Sequence, residues 1–228
     1  MAQRWNDLLF MHWPIAADSL RALVPARIDL DVYDDTAWVS IAPFSLSDLR
    51  PRGLPALPRI SEFPELNVRT YVIVDEKPGV YFFSLDAGSA LAVLGARTLF
   101  HLPYYAAAMH LRGRPDGGID YESRRLAIGS RPARFKAAYA PTGPVTTSAP
   151  GSLEHWLTER YCLYAVGSAQ RVYRTEIHHR PWPLQPARVE IAENTMAAAS
   201  QIELPSLPPK VSFTQRLDVV VWAEERVR

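Results

Sequence analysis

The chain has 228 residues, with 25 basic and 24 acidic side chains and a formal net charge of +1. Its 48% hydrophobic content can build a sizeable core, and the balanced charge argues against a dedicated nucleic-acid binder, which would show a basic excess or stripe. Residues 1–14 contain Arg4 and Asp7 and lack the apolar run of a signal peptide; no stretch reaches the ~20 apolar residues that span a bilayer, so a cytoplasmic, non-membrane protein is expected.

The 20 prolines and 11 glycines divide the chain into short segments. Residues 18–23 can start on Asp18 as an N-cap and stop before Pro25, which predicts a short helix. Asp34 and Asp35 separate two strand candidates, 28–33 and 38–44. Residues 51–64 carry Pro51, Pro55, Pro58 and Pro64 and are expected to form an irregular loop over the surface or a barrel mouth. The runs 67–74 and 79–85 are rich in β-branched and aromatic residues and read as strands. The turn Glu76-Lys77-Pro78-Gly79 joins them into a hairpin. In 89–99, Leu91, Ala92, Leu94 and Leu99 recur at helical spacing behind Asp86 or Ser89.

Further strands are expected at 105–111, 119–126, 133–139, 161–166, 171–178, 189–191 and 217–223, with a hairpin turn at 112–118. Short helices are expected at 152–159, opening on Ser152, and at 194–200. Cys162 is the single cysteine, which excludes an intramolecular disulfide and a Cys-based zinc site; its apolar surroundings suit a buried, inert thiol. With no internal repeat or linker, one domain over residues 1–228 is the simplest reading. Ten or more short strands and four short helices imply a mainly β (α+β) fold, antiparallel and closed into a barrel or sandwich.

Several segments carry a resemblance to one family across nearly the whole chain. They are Met11-His12-Trp13-Pro14, Ala37-Trp38-Val39-Ser40-Ile41-Ala42-Pro43-Phe44, and Phe63-Pro64-Glu65-Leu66-Asn67-Val68-Arg69-Thr70-Tyr71. Others are Gly79 to Asp86, Leu157-Thr158-Glu159-Arg160-Tyr161, and His178-His179-Arg180-Pro181-Trp182-Pro183-Leu184. Their order and spacing resemble the YqjF-like proteins of unknown function, grouped with the acetoacetate decarboxylase-like superfamily. That resemblance implies a cone-shaped, mainly antiparallel β-barrel with a central cavity and a few short flanking helices. Gly95-Ala96-Arg97-Thr98-Leu99-Phe100-His101-Leu102-Pro103-Tyr104-Tyr105 is similar to the decarboxylase segment in which a Gly-Arg-Glu element leads to a proline and two lysines. Tyr104 stands where the Schiff-base lysine is expected and Tyr105 where its neighbour is. Arg97 or Ala96 falls near the Arg-Glu pair, whose glutamate is missing. A phenol has no amine to condense with a keto group, so the usual decarboxylation route is not expected.

In an extended chain Glu65, Asn67, Arg69 and Tyr71 share one face, and Leu66, Val68, Thr70 and Val72 the other. The polar face either meets solvent or lines the cavity, where Asn67, Arg69 and Tyr71 would bind a carboxylate or carbonyl oxygen. The resemblance favours the cavity, because the decarboxylases carry a separate cavity glutamate on a strand similar to residues 65–72, and it implies that Glu65, Asn67 or Arg69 takes that glutamate's place. Tyr104 and Tyr105 must point to opposite sides, and the resemblance assigns Tyr104 to the cavity, as a candidate catalytic group with Glu65 and His101. Arg160 is a candidate anchoring cation or a rim ion-pair partner. Lys136 is a candidate relocated amine if it is not simply an exposed strand lysine. His178 and His179 diverge as strand neighbours, so no metal is expected, and no dinucleotide fingerprint or phosphate loop calls for a cofactor. Two hypotheses follow: a binding protein for a small carbonyl- or carboxylate-bearing molecule, or an acid–base enzyme on a keto acid. A third reading has the cavity filled by side chains. An edge strand such as 217–223 could pair between subunits in a homo-oligomer.

Overall fold

The computed structural model describes residues 1–56, 61–90, 93, 94 and 100–228. Its strands are β1 (Ala2–Ile15), β2 (Asp29–Leu30), β3 (Ala37–Arg50), β4 (Phe63–Val74), β5 (Lys77–Ala87) and β6 (Tyr104–Gly113), followed by β7 (Ile119–Arg125), β8 (Arg134–Pro141), β9 (Cys162–Val166), β10 (Val172–His178), β11 (Gln185–Asn194) and β12 (Lys210–Arg226). Three short helices are described in full: α1 (Ala17–Arg21), α2 (Leu153–Thr158) and α3 (Met196–Ala199). The fold is therefore mostly β with few helices, as the sequence implies. Part of the helix expected at 89–99, including Leu91, Ala92, Gly95, Ala96, Arg97, Thr98 and Leu99, lies outside the described residues, as do residues 57–60 of the proline-rich loop.

The strands form one sheet in the order β10-β9-β5-β6-β7-β8-β11-β12-β1-β3-β4-β2, and two additional pairings, β10–β12 and β4–β5, close it on itself. One ring runs through β1, β3, β4, β5, β9, β10 and β12, and a second continues from β5 through β6, β7, β8 and β11 back to β12. The sheet departs from the antiparallel expectation at one place: β5 pairs in parallel with both β6 and β9. Nor is 217–223 an edge. β12 pairs with β1 on one side and with β10 and β11 on the other, because its length lets two shorter strands share one flank.

The shared wall explains the strand that sequence patterning misses. In β1, Leu8 and Phe10 enter one core, while Leu9, Met11 and Trp13 enter the other. With both faces buried, the segment shows a continuous apolar run instead of alternation. The β4–β5 turn is tighter than expected. Val74 pairs with Lys77, and Asp75 and Glu76 both take positive φ (51° and 60°), the geometry that matches strand twist in a two-residue hairpin. Helix α2 starts on Ser152, whose Oγ accepts the His155 N–H at 3.2 Å. Asp18 is not a cap. Helix α1 begins after Ala16, which leaves Asp18 in the first turn. Where the second ring begins, Arg125 of β7 donates to Asp86 of β5 at 2.6 Å with both side chains almost fully buried.

Candidate functional site

Inside the first ring lies a cavity of about 330 Å³. Strand β4 contributes Glu65, Asn67 and Arg69 from alternate positions, so all three side chains point the same way. They are buried, with 4%, 6% and 8% exposure, and not solvent-facing. Tyr104, at the start of β6, joins them from across β5, since Leu85 is the partner of Tyr104 and Ala87 that of Glu65. Tyr105 turns the other way, with the Arg125 guanidinium 4.1 Å from its ring centroid. Arg160 reaches the cavity from the passage between α2 and β9.

Two polar groupings emerge. In the first, the Tyr104 hydroxyl donates to Glu65 Oε2 at 3.0 Å. Burial pushes the Glu65 carboxyl up to about 8, against the opposing effect of the Tyr104 bond. Glu65 is therefore predominantly neutral at pH 7 and can act as a hydrogen-bond donor. Burial, together with the neighbouring Glu65, holds the Tyr104 phenol well above its ordinary value, which suits a neutral donor and not a base.

The second grouping is cationic. Arg160 Nη1 donates to Asp31 Oδ2 at 2.6 Å and its Nε to the Trp156 carbonyl at 2.7 Å. Its guanidinium lies 4.3 Å from the Trp156 ring centroid and 5.1 Å from that of Tyr71. These contacts fix the side chain but leave Nη2 buried without a partner. Arg69 is less satisfied. It stacks 5.2 Å from the Phe10 ring centroid, its Nε and Nη2 have no hydrogen-bond partner, and it forms no ion pair with a carboxylate among the described residues. Burial lowers its pKa, opposed by the neighbouring Tyr71 hydroxyl, which accepts a hydrogen bond from it, with a smaller lowering from Arg160, yet a guanidinium stays protonated in proteins. Asp31 balances Arg160 and Glu65 is neutral, so the site retains the uncompensated charge of Arg69.

Tyr71 continues the β4 row but does not line the cavity. It is fully buried beneath it, with its hydroxyl 3.1 Å from His12 Nδ1. Burial, aided by Arg69 and Lys210, keeps His12 well below the ordinary histidine range, so it adds no charge at neutral pH. His101 lies outside: its Nδ1 is 2.7 Å from Glu224 Oε2 and its ring stacks on Tyr173 at 4.5 Å, although its neighbours Phe100 and Leu102 reach the cavity. The chain's three lysines, Lys77, Lys136 and Lys210, do not line the cavity. Lys136 is exposed on β8 beside Glu122 at 3.7 Å, which removes it as a relocated amine.

Thr175 is not singled out in the sequence and His179 is weighed there only as a metal ligand, yet both line the cavity; the segment His179-Arg180-Pro181-Trp182 is expected from the sequence to close a barrel end by packing Trp182 inward. Trp182 does pack inward, stacked on Trp5 at 5.6 Å and edge-on to Phe10 at 4.8 Å, but it also faces the cavity. Trp182 Nε1, Thr175 Oγ1 and Asn67 Oδ1 are buried without partners, like the arginine nitrogens. A Trp after Arg-Pro was the only visible signal for this group. Among the described residues no set of three or more His, Cys, Asp or Glu is placed to hold a metal ion.

Residues 2–218 match DUF2071, a family described as an uncharacterized conserved protein. The chain belongs to this family. A member from Bacillus subtilis (strain 168), the uncharacterized protein YqjF, is 49% identical over 222 residues, covering 97% of this chain and 90% of its own. Solved structures with the same fold are far more distant in sequence. The enduracididine biosynthesis enzyme MppR, complexed with the condensation product of pyruvate and imidazole 4-carboxaldehyde, has a TM-score of 0.67 at 12% identity, covering 99% of this chain and 88% of the other. An acetoacetate decarboxylase-like enzyme from Sphingomonas wittichii RW1 gives 0.64 at 13% identity, covering 100% and 92%. The acetoacetate decarboxylase of Legionella pneumophila gives 0.62 at 14% identity, covering 100% and 88%.

Proposed function

We propose that the first ring is the cone-shaped barrel of the decarboxylase-like proteins put to use as a receptor for a small carboxylate. The observation that carries this reading is Arg69, a buried guanidinium with two unpartnered nitrogens and no carboxylate of its own. An isolated buried charge is costly, and an incoming carboxylate removes that cost with paired, charge-assisted hydrogen bonds. Arg160 Nη2 and Trp182 Nε1 supply further donors. The neutral Glu65 and Tyr104 are suited to a carbonyl or hydroxyl oxygen elsewhere on the same ligand.

Calorimetric titration with a panel of carboxylates and their neutral amides tests the reading. Acids should bind at least tenfold more tightly than matched amides, and Arg69→Met should remove that preference. Equal binding of acid and amide, or an unaffected Arg69→Met protein, would sink it.

A second reading is favoured by the protonated Glu65. A neutral carboxyl hydrogen-bonded to a phenol can lend its proton to a carbonyl oxygen while a solvent water takes a proton from the adjacent carbon, giving the enol, and Tyr104 stabilises the carboxylate left behind; the reverse step returns a solvent proton to that carbon. The protein would then be an acid–base enzyme on a keto acid, working without a Schiff base because no lysine faces the cavity. Deuterium uptake from solvent at the carbon beside the carbonyl of pyruvate or levulinate, followed by NMR, reads this step. Uptake above the buffer rate that disappears in Glu65→Gln supports an enzyme, and uptake at the buffer rate leaves the receptor alone.

A further inference from the structure

Most of the cavity wall takes no part in holding a carboxylate. Beyond Arg69, Arg160 and the Glu65–Tyr104 pair, the surface is dominated by apolar side chains, among them Trp5, Phe44, Phe82, Phe100, Leu163 and Trp182. The size of the space is as informative as its lining. An engineered apolar cavity of about 150 Å³ accepts benzene, so about 330 Å³ has room for roughly a dozen non-hydrogen atoms. A three- or four-carbon keto acid would engage the cationic grouping and leave most of the aromatic wall uncovered. Burying apolar surface is the general source of affinity in such a site, and the wall here offers it in one continuous region.

We infer that the ligand is an amphipathic monocarboxylate with a medium-length hydrocarbon or aryl body, its head on Arg69 and Arg160 and its body along the aromatic wall. The inference rests on the carboxylate reading for its head group and adds the body. Small keto acids are then poor ligands, and straight-chain acids of roughly eight to twelve carbons, or arylalkanoates of similar size, are good ones.

The test is a chain-length series. Straight-chain acids from acetate to hexadecanoate, phenylalkanoates, acetoacetate, and the alcohols matching each acid are titrated by calorimetry or by quenching of tryptophan fluorescence. Affinity should rise roughly three- to fourfold per methylene up to the filling length and then level off. The acid should bind at least tenfold more tightly than its alcohol at every length. Ala42→Leu fills part of the wall and should shorten the optimum by two or three carbons. Acetoacetate binding as tightly as decanoate would overturn the hydrocarbon body and leave the carboxylate reading standing. A rise with length but equal affinity of acid and alcohol would overturn the carboxylate head, and the amphipathic ligand with it. Binding by no member of the series would overturn both, and the wild-type series decides these outcomes even if Ala42→Leu fails to fold.

Discussion

Replacing Arg69 with methionine separates two effects that a buried guanidinium combines. In the unliganded protein Arg69 carries a desolvated charge with no carboxylate beside it. Methionine keeps much of the length that packs near Phe10 and removes the charge. The unliganded variant should therefore melt about 2–4 °C higher, as expected for roughly 1 kcal/mol in a chain of this size; a clear fall would mean that the contacts Arg69 makes with the Phe10 ring and the Tyr71 hydroxyl outweigh the cost of its buried charge. Glu65 gives a second signature, readable through pH. Its carboxyl sits at about 8 in the folded protein against 4.5 when unperturbed. Between those values the native state keeps a proton that the unfolded chain has lost, so Glu65 favours folding fully below pH 4.5, and this contribution is lost as pH rises through about 8. Glu65→Gln has no such proton. Urea midpoints measured from pH 5 to 9 should show wild type losing stability relative to Glu65→Gln, and a constant difference would exclude a neutral Glu65.

At the level of elements, Gly79 in β5 marks where the first ring closes against β9. A Cβ at this position would lie 2.7 Å from Tyr164 Cε2 and 2.8 Å from both the carbonyl oxygen and the sulfur of Cys162. Backbone cannot yield as a flexible side chain does, so Gly79→Ala should cost about 1–3 kcal/mol, seen as a lower denaturation midpoint. An unchanged midpoint would show that β5 and β9 do not press together there. Strands were legible in the sequence where one face meets water. β7 alternates buried and exposed residues along its whole length and matches the expected 119–126 almost residue for residue. β1 was missed because Leu8 to Met11 serve two cores at once. The site divides in the same way. Glu65, Asn67 and Arg69 stood out as a polar row in an apolar strand, and Tyr104 through the resemblance, whereas Thr175 and Trp182 come near them only through ring closure. His101 misled because adjacency to a cavity residue in sequence says nothing about which side of the backbone it takes.

At the scale of the whole molecule, two rings that share a wall should not open together. Strands β1, β3 and β4 lie between two cores, and their hydrogen bonds are shielded from both sides. The outer strand β11 has no fully buried residue, alternating between intermediate and exposed, and β6 is mostly partly exposed. Amide exchange proceeds by local opening whose free energy rises with the buried contacts that must break, up to the stability of the whole domain. Exchange followed by mass spectrometry should therefore find β1, β3 and β4 among the slowest segments, opening only with global unfolding, and β11 exchanging well before them. The cavity is built largely on that slow wall through Trp5, Phe44, Glu65 and Arg69, but its far side is closed by shorter elements bearing Arg160, Thr175 and Trp182. A carboxylate bound as proposed would bridge the two sides through Arg69 and Arg160, so ligand should slow exchange mainly in residues 158–182 and leave β1, β3 and β4 nearly unchanged. Equal protection of β11 and β1 in the free protein would contradict the shared wall, and protection on binding confined to β11 would place the ligand outside the first ring.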